Sequence, residues 1–159
     1  NMTRRYAYSL GGRRAVDSAP LSKPKNTTIL SSIQLDGTLR YTTFSGGTTV
    51  ERFKRYLETD LLPHLNGNSV LIMDNMKSHH AKAVRNLLDS SGVRYIYLPP
   101  YSPDLNPIEK LWSKVKSFLR KFKARTLDAL PNAIQCAFQT VSPSDCSGWF
   151  HSCGYSPYF

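Results

Sequence analysis

The sequence is poor in cysteine, in long apolar segments and in acidic residues. Its three cysteines, Cys136, Cys146 and Cys153, are odd in number, lack a Cys-x-x-Cys spacing and have only His151 nearby. Disulfide frameworks and zinc sites use paired or regularly spaced cysteines. The cysteine usage therefore predicts reduced structural thiols, and it predicts neither a disulfide scaffold nor a zinc centre.

Long apolar segments are absent as well. No run of eighteen apolar residues occurs, and the opening Asn-Met-Thr-Arg-Arg-Tyr has no apolar signal core. The sequence therefore predicts no membrane-spanning helix and no secretory leader. With 159 residues, 40% hydrophobic and 20% charged, it is expected to form one soluble domain with a core of its own.

Acidic residues are scarce relative to basic ones. There are 11 Asp and Glu against 21 Lys and Arg, which gives a formal net charge of +10. Between Lys110 and Arg125 seven residues are Lys or Arg and none is Asp or Glu. A solvated helix face normally intersperses acids. An uninterrupted basic surface favours a polyanion, so nucleic acid or another anionic surface is the predicted partner.

Proline is concentrated in one segment, residues 97–112. Four prolines stiffen it by fixing φ and by biasing each preceding residue towards extended backbone: Pro99, Pro100, Pro103 and Pro107. At its end Asn106 suits a helix N-cap, Pro107 the first helical position and Glu109 the third. Glu109 is therefore either a capping-box residue or a carboxylate delivered to a functional site.

The helix after this loop is predicted to be amphipathic. Apolar residues recur at three- and four-residue spacing: Ile108, Leu111, Trp112, Val115, Phe118, Leu119 and Phe122. At about 100° per residue, one flank of that stripe carries Glu109, Ser113, Lys116 and Arg120. Because the acid and the cations share a side, Ser113, Lys116 and Arg120, together with Lys110 at the helix start, are candidate residues for contacting a polyanion.

The first half of the chain predicts a hairpin followed by a helix. Residues 28–35 and 38–44 read as strands joined by Asp36-Gly37, a pair suited to a type I′ turn. Thr48, with Glu51 three residues on, predicts a capping box that opens a helix to about Leu62.

A βαβ unit is expected next. Residues 69–74 and 93–98 are short apolar runs typical of parallel strands buried on both faces, and they flank a helix over about residues 81–90. One further helix is predicted over residues 130–140. The aromatic residues beyond it, Trp149, Phe150, Tyr155 and Tyr158, are expected to pin the tail to the core, with base stacking as the alternative.

Asp74 closes the first strand of this unit, and the loop to Glu109 leaves the second. Ligand sites of open α/β sheets lie beyond the carboxyl ends of the strands, so we expect the two carboxylates to meet at one edge of a mixed sheet. Two carboxylates among cations suit Mg²⁺, which prefers few protein carboxylates completed by water and phosphate. Alone, Asp74 would equally suit a loop-capping role.

Two segments together carry a family resemblance. They are Leu71-Ile-Met-Asp-Asn-Met-Lys-Ser-His79 and Leu98-Pro-Pro-Tyr-Ser-Pro-Asp-Leu-Asn-Pro-Ile-Glu-Lys-Leu-Trp112. They resemble the catalytic core of mariner-like transposases and related bacterial insertion-sequence transposases. Asp74 and Glu109 match the second and third acids of that family's Asp-Asp-Glu triad in their spacing, with thirty-four residues between them.

The resemblance implies an α/β, ribonuclease H-like fold with a mixed sheet and flanking helices. It implies a transposase catalytic domain that cleaves DNA and transfers strands, with Asp74 and Glu109 as catalytic and metal-binding residues and Mg²⁺ or Mn²⁺ as cofactor. Asn75, His79 and Asn106 are supporting residues; His79 either orients a carboxylate, contacts phosphate or packs at a helix start. The implied partners are double-stranded DNA, as transposon ends and target, and a second copy of the protein.

One family feature has no counterpart in this sequence. The family's first Asp lies in a segment resembling Asp-Glu-x-x-Phe on the first strand, and neither Asp17 nor Asp36 has that context. We therefore expect residues 1–159 to be a single, N-terminally truncated catalytic domain, without the first, central strand and without a helix-turn-helix region. Such a chain is expected to be inactive by itself.

Two other functions stay open on the sequence. One is an inactive, DNA-binding remnant of a transposase, and the other is a different ribonuclease H-like, metal-dependent nuclease. The expected location is the cytoplasm, at the nucleoid, in a bacterium, or the nucleus in a eukaryote.

Overall fold

A computed structural model of the chain describes residues 8–16, 26–122 and 129–155. They form four strands and five α-helices in the order β1 (Thr27–Ile33), β2 (Leu39–Ser45), α1 (Val50–Tyr56), β3 (Val70–Met73), α2 (Lys82–Ser91), β4 (Arg94–Tyr97), α3 (Pro107–Phe122), α4 (Ala129–Gln139) and α5 (Pro143–Ser152). Two compact units result. One contains residues 1–24 and 111–141, and the other contains residues 25–110 and 142–159.

The predicted hairpin is present, but its turn is of a different type. β1 and β2 pair antiparallel from Thr27 opposite Ser45 to Ile33 opposite Leu39. Gly37 has φ 91°, whereas Asp36 is not in the positive-φ region. The N–H of Gly37 donates to the carbonyl of Gln34 at 3.1 Å. A type I′ turn needs positive φ at both central residues, so the type I′ prediction is wrong. With positive φ at the glycine alone, the loop is a type I turn ending in a left-handed residue.

Helix α1 begins one residue later than predicted, because Thr49 and not Thr48 is the N-cap; its hydroxyl accepts the Arg52 N–H. Beyond Tyr56 the chain continues through a π-helical segment, Leu57–Leu61, and a 3₁₀ turn, Leu62–His64. The core of the unit that contains residues 25–110 is formed by buried apolar side chains from α1, the π-helical segment, β3 and α2: Phe53, Tyr56, Leu57, Leu61, Met73, Val84 and Leu88.

The βαβ unit is confirmed. β3 and β4 are parallel, with Val70 opposite Arg94 and Met73 opposite Tyr97, and α2 ends at Gly92 as expected. The prediction that these strands are buried on both faces is wrong, since Val70 is 44% exposed and Ile96 is 50% exposed. The reason is pairing: among the described residues β3 and β4 form a sheet of two strands, separate from β1 and β2, and not part of one mixed sheet.

Helix α3 begins at Pro107, as predicted, and buries most of its apolar stripe. Leu111, Val115 and Leu119 are almost inaccessible to solvent. Phe122, the last described residue of α3, is an exception at 46% exposure, and its ring stacks on that of Phe118. Helix α4 confirms the helix predicted over residues 130–140.

Helix α5 was not expected from the sequence. Ser142 caps it by accepting the Asp145 N–H, Asp145 accepts the Ser142 N–H in return, and Pro143 occupies the first turn. The capping box Ser-x-x-Asp was the available signal. Residues 143–152 contain few apolar residues, so apolar periodicity does not predict a helix there, and only the aromatic residues of this segment indicate packing. Trp149, Phe150 and Tyr155 are half-buried, in line with that role.

The three cysteines are thiols outside any disulfide, and Cys146 and Cys153 are buried. Over the stretches that the structure describes, no helix combines the length and apolar character needed to span a membrane. Arg4, Arg5, Asp17 and Tyr158 lie outside the described residues.

The hairpin turn packs against the start of α5 at Gly37. A Cβ built on Gly37 would lie 2.7 Å from the Cα of Pro143. We expect Gly37→Ala to destabilise the protein by about 2–3 kcal/mol, because it adds a backbone clash to a positive φ. Urea unfolding measures this. Gly67→Ala is the matched control, since a Cβ there meets open space. Equal losses in the two variants would contradict the packing argument.

Candidate active site

The candidate site lies at the carboxyl ends of β3 and β4. The N–H of Leu98 donates to the carbonyl of Met73 at 2.8 Å, which extends the parallel pairing to the last residue of β3. Asp74 leaves the sheet at this edge, and the proline-rich loop leaves it from Leu98. The two acid-bearing segments therefore depart from neighbouring strands at the same edge.

Asp74 is held by two hydrogen bonds. His79 Nδ1 lies 2.8 Å from Asp74 Oδ1, and the Met76 N–H donates to the same oxygen at 3.1 Å. The His79 hydrogen bond is the main cause that lowers the pKa of Asp74; burial opposes it, while the charge of His79 and the Met76 N–H add to it. The carboxylate is thus ionised at neutral pH, and its side chain is 47% exposed.

His79 is itself fixed by neighbours from distant parts of the sequence. Its ring packs on that of Phe53, with centroids 4.1 Å apart, and its carbonyl accepts the Tyr97 hydroxyl at 2.8 Å. Nδ1 faces two acceptors, the carboxylate and, at 3.3 Å, the carbonyl of Asp74, so Nδ1 carries the proton. His79 lies two residues before Ala81, the N-cap of α2, and from there its ring both packs on Phe53 and contacts the Asp74 carboxylate.

Sequence reasoning missed Phe53 and Tyr97 as parts of this arrangement. They lie on α1 and β4, and no local spacing links them to Asp74. His80 also takes part: it contacts Asn75 Oδ1 through Nε2, and its ring stacks on Tyr97 with centroids 4.0 Å apart. The side chain of Asn75 is thereby oriented beside Asp74.

The proline-rich loop ends in a 3₁₀ turn, Pro103–Leu105, and α3 follows directly. Asn106 donates its N–H to the Pro103 carbonyl at 3.2 Å and accepts the Glu109 N–H on its own carbonyl at 3.1 Å. Pro107 is buried, whereas Glu109 is exposed. Within residues 8–16, 26–122 and 129–155, the carboxylate of Glu109 makes no hydrogen bond or salt bridge, so the expected capping box with Asn106 is not formed.

The basic flank of α3 is accessible. Ser113 and Lys116 are exposed, and Lys110 and Arg120 are half-buried. Neither Lys116 nor Arg120 forms a salt bridge in the described part of the chain. Their charges are therefore available to an external anion.

The donor atoms at this edge suit a hard divalent cation, because carboxylate oxygens are the ligands that Mg²⁺ prefers. Asp74 is ionised and half-exposed, and Glu109 is exposed. Across the described residues, however, no group of three or more His, Cys, Asp or Glu side chains comes together. Two acids on their own make an incomplete set for a two-metal site.

Comparison with known proteins identifies relatives of this chain. The profile of the DDE superfamily endonuclease family matches residues 1–131. The Tc1 transposable element transposase of Caenorhabditis elegans is 29% identical over 97 residues, which cover 58% of this chain and 36% of that protein.

Solved structures of Mos1 share the fold. The pre-cleavage Mos1 transpososome superposes with a TM-score of 0.79 at 20% identity, covering 95% of this chain and 48% of that one. The catalytic domain of the Mos1 mariner transposase gives 0.72 at 19% identity, covering 85% and 72%. The expected ribonuclease H-like fold is thereby confirmed. Since the family profile covers most of the sequence, the chain belongs to the DDE superfamily endonucleases.

Proposed function

We propose that this chain is part of a transposase that cleaves DNA at transposon ends and joins them to a target. The observation that carries the proposal is that Asp74 and the loop leading to Glu109 leave neighbouring parallel strands at the same edge of the sheet. The His79 hydrogen bond lowers the pKa of Asp74, and Glu109 is an exposed carboxylate at the start of the basic helix. A phosphoryl-transfer site needs carboxylates that are accessible to a divalent cation.

In this proposal Asp74 and Glu109 lie close enough to share a divalent cation. His79 orients the Asp74 carboxylate through Nδ1, while Asn75 and Asn106 keep the two flanking segments in place. Bound Mg²⁺ or Mn²⁺ would activate the attacking oxygen and stabilise the leaving one. Two Mos1 paired-end complexes were solved with Mn and with Mg, which supports this choice of cations.

The substrate is double-stranded DNA, which the basic flank of α3 holds. Lys116 and Arg120 continue from Glu109 along one side of the helix, with Lys110 and Ser113 at its start. These residues suit contacts with phosphates of the duplex, since phosphate contacts fix register without reading bases. A homodimer that pairs two transposon ends, working in the nucleus, is consistent with the nematode relative and the Mos1 paired-end complexes.

The chain spans 36% of the length of the Tc1 transposase and 48% of the Mos1 chain in the pre-cleavage transpososome. We propose that the active enzyme is a longer polypeptide in which a further carboxylate, the counterpart of the family's first Asp, completes the metal site. The second candidate, an inactive DNA-binding remnant, is favoured by the missing third acid among the described residues. Activity of the longer polypeptide separates the two.

The first experiment tests cleavage. The longer polypeptide should nick a duplex carrying the element's terminal repeats when Mg²⁺ or Mn²⁺ is present. Asp74→Asn and Glu109→Gln should each lower the rate by at least about 10³-fold, since a catalytic metal contributes several kcal/mol to the barrier. Glu58→Gln, which removes an exposed acid paired with Lys54, is the matched control and should leave the rate unchanged. Failure of the wild type to nick supports the remnant.

The second experiment tests the basic flank. Lys116→Ala with Arg120→Ala should weaken binding to all duplex sequences alike and lower the slope of log K against log salt by about 2, because two phosphate contacts are lost. Lys54→Ala with Arg55→Ala removes the same charge from α1 and should change the slope little. A loss confined to one sequence, or equal slopes for the two double variants, would exclude local phosphate contact.

The third experiment tests the His79 contact. Because that hydrogen bond lowers the pKa of Asp74, His79→Ala should raise it towards the ordinary aspartate value. A lowered carboxyl pKa stabilises the fold above the unfolded-state pKa, and this stability is lost as pH falls through the folded-state pKa. The variant should therefore lose less stability on acidification. Carboxyl NMR titration measures the pKa, and His64→Ala, at an exposed histidine, is the control; an unchanged Asp74 titration would refute the contact.

A further inference from the structure

The end of α5 forms a specific turn at Gly154. The Gly154 N–H donates to the His151 carbonyl and the Tyr155 N–H donates to the Phe150 carbonyl, both at 3.0 Å. With φ 86° at Gly154, this is the hydrogen-bond pattern of a Schellman motif. The accompanying apolar contact is present as well, since the Tyr155 and Phe150 rings meet edge to face at 5.9 Å. The turn therefore fixes the direction of the Tyr155 side chain.

Tyr155 uses this direction to reach the proline-rich loop. Its hydroxyl donates to the carbonyl of Leu105 at 2.9 Å, across fifty residues of sequence. Burial raises the pKa of Tyr155, with a smaller effect from Cys153, so the hydroxyl stays a donor at neutral pH. Leu105 is the last residue of the 3₁₀ turn, four positions before Glu109.

The loop needs such an external restraint. Prolines fix φ at four positions, but Tyr101 adopts φ 59° and is fully exposed, a backbone state that non-glycine residues seldom adopt without support. Within the loop the Ser102 hydroxyl makes only a long contact, 3.4 Å, to the Pro100 carbonyl. Helix α5 is well placed to supply the restraint, because its first turn is packed against the hairpin at Gly37.

We propose that Tyr155 is a positioning residue for Glu109. The start of α5 packs against the hairpin at Gly37, and the segment at its end holds the proline-rich loop through the hydrogen bond from Tyr155 to the Leu105 carbonyl, called the clamp below. This rests on the proposed function, in which Glu109 binds metal. Without the clamp, the loop samples arrangements in which the Glu109 carboxylate is out of place. The donor acts through the backbone and touches neither DNA nor cation.

The clamp itself is tested without any activity. Tyr155→Phe keeps the ring contact with Phe150 and removes only the hydroxyl. Hydrogen exchange at the Leu105, Asn106 and Glu109 amides should become about fivefold faster, the factor that one hydrogen bond of ordinary net strength supplies. The matched control is Tyr95→Phe, which removes a hydroxyl bonded to Asp89 and should leave these amides unchanged. Unchanged exchange in Tyr155→Phe overturns the proposal.

The consequence for the site is tested in the longer, active polypeptide. Tyr155→Phe should raise the Mn²⁺ concentration needed for half-maximal cleavage by about fivefold and leave the KM for DNA unchanged, with saturating Mn²⁺ restoring the rate. A merely unfolded fraction would not be restored by the cation. Normal Mn²⁺ dependence together with faster exchange would overturn the positioning role, whereas absence of cleavage by the wild type would overturn the proposed function and leave the exchange result standing.

A second pair of variants reaches the clamp from the backbone. Gly154→Ala forces a side chain onto the positive φ, although its Cβ meets open space, and should reproduce the effects of Tyr155→Phe. Gly148→Ala lies within the same helix, also in open space, and should not. Equal behaviour of the two alanine variants would count against the turn as the source of the positioning.

Discussion

Parallel pairing of β3 with β4 is the constraint on which the candidate site depends. Parallel strands run in one direction, so the segments that follow β3 and β4 leave the sheet at the same edge. The Leu98 N–H and Met73 carbonyl maintain the pairing up to Asp74. The segments of the candidate site begin at this edge. They are the turn containing His79 after β3, the proline-rich loop after β4, and the basic helix α3 that follows the loop.

Two different kinds of support surround the two acids. The Asp74 carboxylate is held by direct hydrogen bonds from His79 and from the Met76 N–H. His79 is in turn held by contacts with Phe53 and Tyr97. Glu109 is held through the backbone, because its carboxylate has no partner in the described residues. Its position depends on Pro107, on the 3₁₀ turn and on what holds that turn. Asp74 is thus oriented by a side chain, and Glu109 by the course of the chain.

Much of this was predictable because it is encoded within a few residues. The apolar period of α3, Pro107 at its start and Gly92 after α2 are local signals, and each of them was confirmed. Local signals also explain the errors. Asp36-Gly37 is compatible with two turn types, and only the backbone around Gly37 distinguishes them. Residues 143–152 contain few apolar residues, so their pattern does not predict α5. The two short apolar runs predict strands buried on both faces, but Val70 and Ile96 are exposed.

The sequence by itself determined most of the elements, the positions of Asp74 and Glu109 at the ends of a strand and a loop, and the basic flank of α3, since each follows from spacing, capping or charge over a short stretch. It also determined the family, through two motifs that keep their spacing. Only the tertiary structure decided that Phe53 and Tyr97 fix His79 and that the Tyr155 hydroxyl contacts the Leu105 carbonyl. These contacts join residues from 18 to 50 positions apart, and they depend on how the elements pack, which no local pattern encodes.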